Sequence, residues 1–373
     1  MKTSAASFHE HLSVKLRELG YTPSKADSDL WMKDCSTHYE YIAHYVDDVI
    51  AFSKNPMDII NKLKDTYIMK GVGAPQYYLG GDVVELDNQW HREGIQTAFS
   101  AETYVKNCLE KLAKMLNIEQ FGTQRTPMDS EYHPELDESP LCDAQHITKY
   151  KSLLGCANWI IILGRFDIQF AVTTLAWYSN APRQGHLKAL QRVFGYLRKW
   201  NKGKIVIDIE DPPVRDEVKV TSGQNWSEMY PDAVEDIPTD MPVPKGRTAT
   251  VTAYVDADHA RNKVTRRSLT GVLLLINNTP LQWVSKRQPT VETSTYGAEL
   301  IATRVAIDMI IEVRYKLRML GVPIRGSALL LGDNMSVVLN TTIPASPLKK
   351  KHLGCAYHRI CEAIAAGIIH YAH

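Results

Sequence analysis

Several features that would narrow the function at once are missing from this 373-residue chain. Charge of one sign is the first: 43 Lys and Arg stand against 42 Asp and Glu, a formal net charge of +1. No global field sweeps such a molecule onto nucleic acid, so any grip on a phosphate backbone has to come from local patches. Cysteine is sparse, with six residues at 35, 108, 142, 156, 355 and 361, no CxxC pair and no regular framework. That pattern suits a reducing compartment. No apolar run approaches the ~18 residues a membrane helix needs, and the start, Met1–Ser7, lacks the hydrophobic stretch of a secretory signal. The expectation is an intracellular protein, cytoplasmic or nuclear, with no membrane partner.

What is present has the makeup of an ordinary globular protein. Hydrophobic residues form 44% and charged residues 23% of a chain long enough for two or three domains. Leu12, Val14, Leu16 and Leu19 give residues 7–19 a helical rhythm, which Gly20 ends in the C′ position. Strands are expected at Trp31–Lys33 and Tyr39–Tyr45, and a helix over Met57–Tyr67 behind Asn55-Pro56. A hairpin is expected over residues 77–99, turning at Asp87-Asn88 and returning through Gly94-Ile95-Gln96. Residues 130–147, polar and acidic, read as a mobile loop. Helical stretches follow from Tyr150 and over His186–Arg198, and Asp167 between them reads as an N-terminal cap. Over residues 208–242 ten acidic residues stand against two basic ones, with prolines at 212, 213, 231, 238 and 242. This reads as an acidic, partly extended linker or insertion, of the wrong sign to hold a nucleic-acid backbone, and as the main domain boundary.

Two stretches place carboxylates where chemistry could use them. In Tyr41–Phe52, two short runs rich in β-branched and aromatic residues flank Asp47 and Asp48, the pattern of strand, tight turn and strand. Adjacent carboxylates in an apolar setting repel, and a divalent cation relieves that cost. Asp is also an ordinary turn residue, so a plain surface hairpin fits the same letters. The second stretch begins at Thr248. Thr250–Asp258 is a strand ending in carboxylates, and Thr270–Ile276 and Leu281–Lys286 are two more around an Asn277-Asn278 turn. Thr293 or Ser294 caps a long helix that carries Glu299, with Ala302, Ala306, Ile310, Val313 and Leu317 as its buried stripe. Ala328–Asn334 is a fourth strand, again finishing in an acid, Asp333. Any one of these acids alone would be an ordinary surface carboxylate or cap.

Tyr45-Val46-Asp47-Asp48 resembles the active-site hairpin of reverse transcriptases, specifically those of copia-type retrotransposon polyproteins. The likeness continues in the family's order along nearly the whole chain. It includes Phe8–Leu12, Leu19–Asp27, Tyr104–Leu109 and Thr126–Asp129, then Tyr254–Asp258, Thr295–Glu299 and Gly332–Asn334. The resemblance implies an α+β / α/β multidomain protein. Residues 1–125 would be a partial reverse transcriptase (late palm with the hairpin, then thumb) and 126–207 a helical connection. Residues 208–247 would be the acidic linker, and 248–373 a ribonuclease H-like mixed sheet with flanking helices. It further implies Asp256, Glu299 and Asp333 as catalytic metal ligands, with Asp47 and Asp48 as the remnant of a polymerase site. Hydrolysing a phosphodiester in line requires stabilising both the attacking and the leaving oxygen, which two Mg²⁺ about 4 Å apart can do when carboxylates from different elements hold them. Asp256 would bridge both ions, and Mn²⁺ would substitute for Mg²⁺. Asp258, Glu292 and Asp308 are bystanders in this reading.

The implied substrate is an RNA–DNA hybrid or primer-template duplex, and an intact element polymerase is a candidate partner in what the family assembles as a particle. Arg266 and Arg267 after the first strand, Lys286, and the cluster Lys349-Lys350 are the candidate nucleic-acid contacts. A charged hairpin edge that discourages sheet-to-sheet pairing explains the arginines equally well. Arg183, His186, Lys188, Arg192, Arg198 and Lys199 would meet phosphates along the connection, or simply form a solvated helix face. In the family a first palm aspartate and the fingers precede the segment that begins here, and a fourth nuclease acid follows the segment that ends at His373. DNA synthesis is therefore expected to be lost and RNA cleavage reduced or absent, and the alternative is a non-catalytic nucleic-acid-binding or functionless remnant. The repeat of His352, Cys355, His358 and Cys361 at every third residue resembles zinc spacing, but on a helix such steps spread the side chains across a face.

Overall fold

The structure, a computed structural model, describes residues 2–86, 96–213, 224–348 and 350–373. The Asp87-Asn88 turn, Gly94-Ile95, part of the acidic segment and Lys349 lie outside the described residues. Helix α1 (Lys2–Glu18) opens the chain, and four antiparallel strands follow: β1 (Thr22–Pro23), β2 (Leu30–Asp34), β3 (Tyr39–Tyr45) and β4 (Asp48–Phe52). Helix α2 (Pro56–Lys64) starts with Pro56 in its first turn, where the missing N–H costs nothing. The apolar stripe of α1, Leu12 and Leu16, and Ile59 and Leu63 of α2 close over Trp31 and Ile42. The end of α1 follows the glycine logic: Gly20 sits at φ +84°, and the Tyr21 N–H returns to the Leu16 carbonyl.

A second antiparallel sheet contains β5 (Tyr77–Tyr78), β6 (Gly81–Leu86), β7 (Gln96–Ser100) and β8 (Lys204–Val206), in that order. The last strand comes from more than 100 residues downstream of β7, and its short sequence carried no strand signal. α3 (Glu102–Leu116) packs on β6 of this sheet and, with α4 (Ala144–Ile162), α5 (Gln169–Ala176) and α6 (Gln184–Lys199), encloses a core that includes Val105, Tyr150, Ile160, Leu190 and Phe194.

The C-terminal part is a five-stranded mixed sheet. Strands β9 (Val251–Asp258), β10 (Leu269–Ile276) and β11 (Thr279–Arg287) form an antiparallel meander. Helix α7 (Thr295–Met319) then crosses to β12 (Ala328–Gly332), which lies parallel to β9. Helices α8 (Met335–Thr342) and α9 (Gly354–Ala365) precede β13 (Ile369–Ala372), parallel to β12. The sheet order is β11-β10-β9-β12-β13. Alternate residues of β9, Val251, Ala253, Val255 and Ala257, face α7, whose expected stripe from Ala302 to Leu317 is buried. Ser294 caps α7 by accepting from the Gly297 N–H, and the turn at Asn277 takes a positive φ of 52°.

Three expectations need correction. Residues 130–147 are pinned rather than mobile: Arg183 donates to the Ser139 carbonyl, Cys142 N–H to the Pro182 carbonyl, and Pro134 and Cys142 are buried. Asp167 is not a helix cap, since α5 has no side-chain cap. Its carboxylate instead clamps the buried Arg165 through two hydrogen bonds of 2.9 and 2.7 Å and accepts from Tyr196. The connection cations are mostly spent on the protein itself. His186 is buried against the Pro134 carbonyl, Arg192 bonds Thr126, and Arg198 bonds Phe121 and Gln120. Lys188 and Lys199 remain exposed.

The acidic segment also has a job in the fold. Glu235 forms fork-to-fork pairs with Arg314 and Arg318 of α7, at 2.6–2.7 Å. Tyr230 reaches His358 at 2.6 Å on α9. The segment is therefore a strap across the C-terminal domain rather than a free linker, and its negative charge serves two buried or nearly buried guanidinium groups. Burial alone would raise the Glu235 carboxyl, but the two arginines outweigh it and bring its pKa from 4.5 down to about 2. A depressed carboxyl contributes stability above its unfolded pKa and loses it as pH falls from about 4.5 towards 2. Glu235→Gln should therefore cost about 3 kcal/mol at pH 7 in urea unfolding, with the gap from the parent closing at acid pH. A variant as stable as the parent at neutral pH would show that the strap is dispensable.

Candidate active site

Parallel pairing brings the first two acids together. Gly332 of β12 lies opposite Val255 of β9, so the next residues along the two strands, Asp333 and Asp256, leave the same carboxyl end of the sheet side by side. The carboxyl ends of parallel strands are where α/β sheets place their sites. Glu299 comes from the second turn of α7, the helix packed on the other side of β9. β12 pairs no further than Gly332, and the Ala257 N–H just beyond donates to Glu299 Oε1 at 3.2 Å. The three side chains each offer an oxygen, and these oxygens all lie within 4.8 Å of one another.

Their environments differ. Asp256 and Asp333 are exposed, whereas Glu299 is only 6% exposed. Burial, followed by the charges of Asp256 and Asp333, pushes the Glu299 carboxyl up to about 8. Without a cation, the cluster relieves its repulsion by holding a proton on the most buried member. The floor beneath it is built for close approach. A side chain at Gly332 would collide with the Tyr371 hydroxyl, which a Cβ would meet at 2.7 Å, and Tyr371 in turn bonds Thr303 at 3.1 Å. Thr303 donates to the Glu299 carbonyl at 2.8 Å, tying the helix to the site.

The neighbouring acids have other duties. Asp258 lies 3.7 Å from Arg261, Asp308 pairs with Arg304 and Arg359, and Glu292 is buried beside His352 and Thr290. Arg266 is exposed and Arg267 half-buried in the loop leaving β9, with no ion-pair partner for either among the described residues. Lys286 does not join the acids. Its register partners are Thr270 and, through it, Ala257, the set that faces away from Asp256. Lys350 is taken up at the start of α7, donating to Ser294 and, at 3.2 Å, to Thr293. His352 pairs with Glu292, His358 with Tyr230, and Cys361 with the Thr341 carbonyl, so three of the four repeating residues are taken up by different partners, and Cys355 is exposed.

Asp47 and Asp48 form a different kind of site. The turn is made by Val46 and Asp47, Asp48 pairs with Tyr45, and both carboxylates are exposed. Val46 has φ 52°, a costly conformation for a β-branched residue. Neither aspartate belongs to a group of three convergent metal-ligating side chains among the described residues. Sequence reasoning missed a feature behind the acids: Phe166, Gln169 and Trp283 roof the open sheet face beside Tyr254 and Asp256, leaving a cavity of about 280 Å³. The contact joins residues more than 100 positions apart, and no local signal announces it.

No protein-family model matches the chain. Among curated proteins it is similar to the retrovirus-related Pol polyprotein from transposon RE1 of Arabidopsis thaliana, 21% identical over all of this chain and 22% of that protein. The corresponding polyprotein from transposon TNT 1-94 of Nicotiana tabacum is 24% identical over 98% of this chain and 24% of its own length. A putative transposon Ty5-1 protein of Saccharomyces cerevisiae is 27% identical over 53% of this chain and 61% of that protein. The chain thus spans about a quarter or less of the Pol polyproteins it matches end to end. These similarities support a retrotransposon origin.

Removing one charge from the cluster should stabilise the cation-free protein. Asp333→Asn is expected to raise the melting temperature at pH 8 in EDTA, by the equivalent of roughly 1 kcal/mol. Millimolar Mg²⁺ should raise the melting temperature of the parent and leave that of the variant unchanged. With Glu299 raised, the cation-free fold loses stability as pH climbs from about 4.5 to about 8, because over that window the folded form keeps a proton that the unfolded chain releases. Melts at pH 6 and pH 8 check this, and a parent indifferent to both pH and Mg²⁺ would contradict the repulsion.

Proposed function

We propose that the chain is a retroelement-derived ribonuclease H that hydrolyses the RNA strand of RNA–DNA hybrids with Mg²⁺, preceded by a partial reverse transcriptase palm, thumb and connection. The observation that carries this reading is the meeting of Asp256, Glu299 and Asp333 within 4.8 Å from two adjacent strand ends and a helix. The Tyr254–Asp258, Thr295–Glu299 and Gly332–Asn334 motifs, which resemble those of copia-type elements, and the transposon Pol relatives support it.

The residues fit magnesium, a hard cation that takes carboxylate oxygens and keeps several waters. Bound there, it would neutralise the charge that develops on the phosphodiester oxygens and activate water for attack. Asp256 and Asp333, both exposed, would face ion and substrate, and Glu299 would be held in place by the Ala257 N–H. Binding a cation requires Glu299 to release its proton. Arg266 and Arg267, in the loop leaving β9, would contact phosphates and fix register without reading sequence. With only two carboxylates at the Asp47-Asp48 turn, the described residues offer no comparable cage there, and primer extension by this chain is not expected.

A labelled RNA–DNA hybrid incubated with the full chain and Mg²⁺, then Mn²⁺, tests the proposal. Cleavage of the RNA strand, reduced roughly 10³-fold by Asp256→Asn (about 4 kcal/mol of transition-state stabilisation), is the expected result. Hybrid retained but uncleaved would instead make the chain a binder, and equal cleavage by parent and variant would assign the activity to a contaminant.

A further inference from the structure

Beside the Asp47-Asp48 hairpin lies a second group of ligand-type side chains from three separate segments: His9 on α1, Asp29 in the turn before β2, and His44 on β3. Their ligand atoms lie within 4.8 Å of one another. His9 Nε2 is 3.1 Å and His44 Nε2 3.8 Å from the same oxygen, Asp29 Oδ1. A hydrogen bond accounts for His9 and Asp29. It does not account for His44, which is 4% exposed with no hydrogen-bond partner for Nε2. A buried polar atom without a partner is rare and demands a reason. The orphaned nitrogen lies 3.8 Å from a carboxylate oxygen that already accepts from a second imidazole.

We infer that His9, Asp29 and His44 form a transition-metal site for Zn²⁺, with solvent completing the tetrahedron. Zinc takes nitrogen at about 2.0–2.1 Å and carboxylate oxygen at a similar distance, which puts tetrahedral donors about 3.3 Å apart. The observed 3.1 and 3.8 Å bracket that spacing on the two nitrogen–carboxylate edges, and the two imidazole nitrogens lie within 4.8 Å of each other. Imidazole nitrogen with one carboxylate favours zinc and its neighbours over magnesium. His9 and Asp29 are 45% and 44% exposed at their side chains, which opens one side to water and to the incoming ion.

The consequence lies in what the ion would join. α1 and the turn before β2 would be fastened to β3 one residue before Tyr45, where the hairpin with the strained Val46 begins. The site is separate from the carboxylate cluster and uses different donors. A third group, Cys35 and His38 in the β2–β3 turn and Glu40 on β3, is accounted for in part, since the Glu40 carboxylate already accepts from Tyr21 at 2.8 Å and from Ser53.

The test is a Zn²⁺ titration of the full chain against a chromophoric chelator, with Co²⁺ as the spectroscopic probe. One tight Zn²⁺ equivalent is expected, retained in Asp256→Asn and weakened about 100-fold or more in His9→Asn and in His44→Asn. His9 sits on the helix surface, so His9→Asn serves even if replacing the buried His44 disturbs folding. Bound Co²⁺ should show tetrahedral d–d bands without thiolate charge transfer. Tight zinc that survives His9→Asn, a thiolate band lost in Cys35→Ser, or no tight equivalent at all would each overturn the assignment.

Discussion

Mutual repulsion among three carboxylates is the constraint on which the C-terminal domain is organised. Asp256 and Asp333 are forced together because β9 and β12 run parallel and end at the same level, and Glu299 is delivered from the helix that covers them. Such crowding costs free energy in the absence of a cation, and the fold bears it locally. The Ala257 N–H fixes Glu299, Tyr371 and Thr303 form a polar floor, and Gly332 leaves room for the Tyr371 hydroxyl. A large apolar core beneath, from Val251 to Tyr371, supplies the stability against which this local cost is small.

The same domain serves as the anchor for what comes before it. The acidic strap reaches α7 through Glu235, and the first sheet reaches the end of α7 through Tyr41, whose hydroxyl donates to the Leu320 carbonyl at 2.6 Å, and through Ser24 to the Met319 carbonyl at 3.1 Å. The connection reaches it from the other side, with Gln169 donating to the Trp283 carbonyl and Phe166 stacked 5.2 Å from the Trp283 ring. These contacts are polar and individually small. Together they place the hairpin, the connection and the carboxylate cluster in a single framework, in which several charged residues of the connecting segments, Arg165, Asp167, Arg183, Arg198 and Glu235 among them, are bonded internally.

Local pattern was most legible where a short-range rule governs. The Ser294 cap, the buried stripe of α7, the Asn277 turn and the Gly20 helix end each follow from a few adjacent residues, and each appears where the sequence put it. Reading failed where the partner is remote. Asp167 has the letters of a cap but binds Arg165, because a buried guanidinium two residues away demands a carboxylate more strongly than the helix start does. Residues 130–147 look like solvent-facing loop because their composition is polar, and their hydrogen bonds to Pro182 and Arg183 are invisible in that composition. His44, an unremarked letter between two apolar runs, became informative only once burial left its Nε2 without a partner.

The sequence by itself determined the strand–strand–strand–helix–strand order from Val251 to Gly332 and the three motifs that bear Asp256, Glu299 and Asp333, since periodicity, caps and turns act over a few residues. Only the tertiary structure decided that the three oxygens meet within 4.8 Å, that Lys286 stands on the opposite sheet face from Asp256, and that the acidic segment is a strap on Arg314 and Arg318. The physical reason is one of range. Convergence, burial and charge pairing join positions tens to hundreds of residues apart, and strand register, which no local pattern encodes, settles which face each side chain occupies.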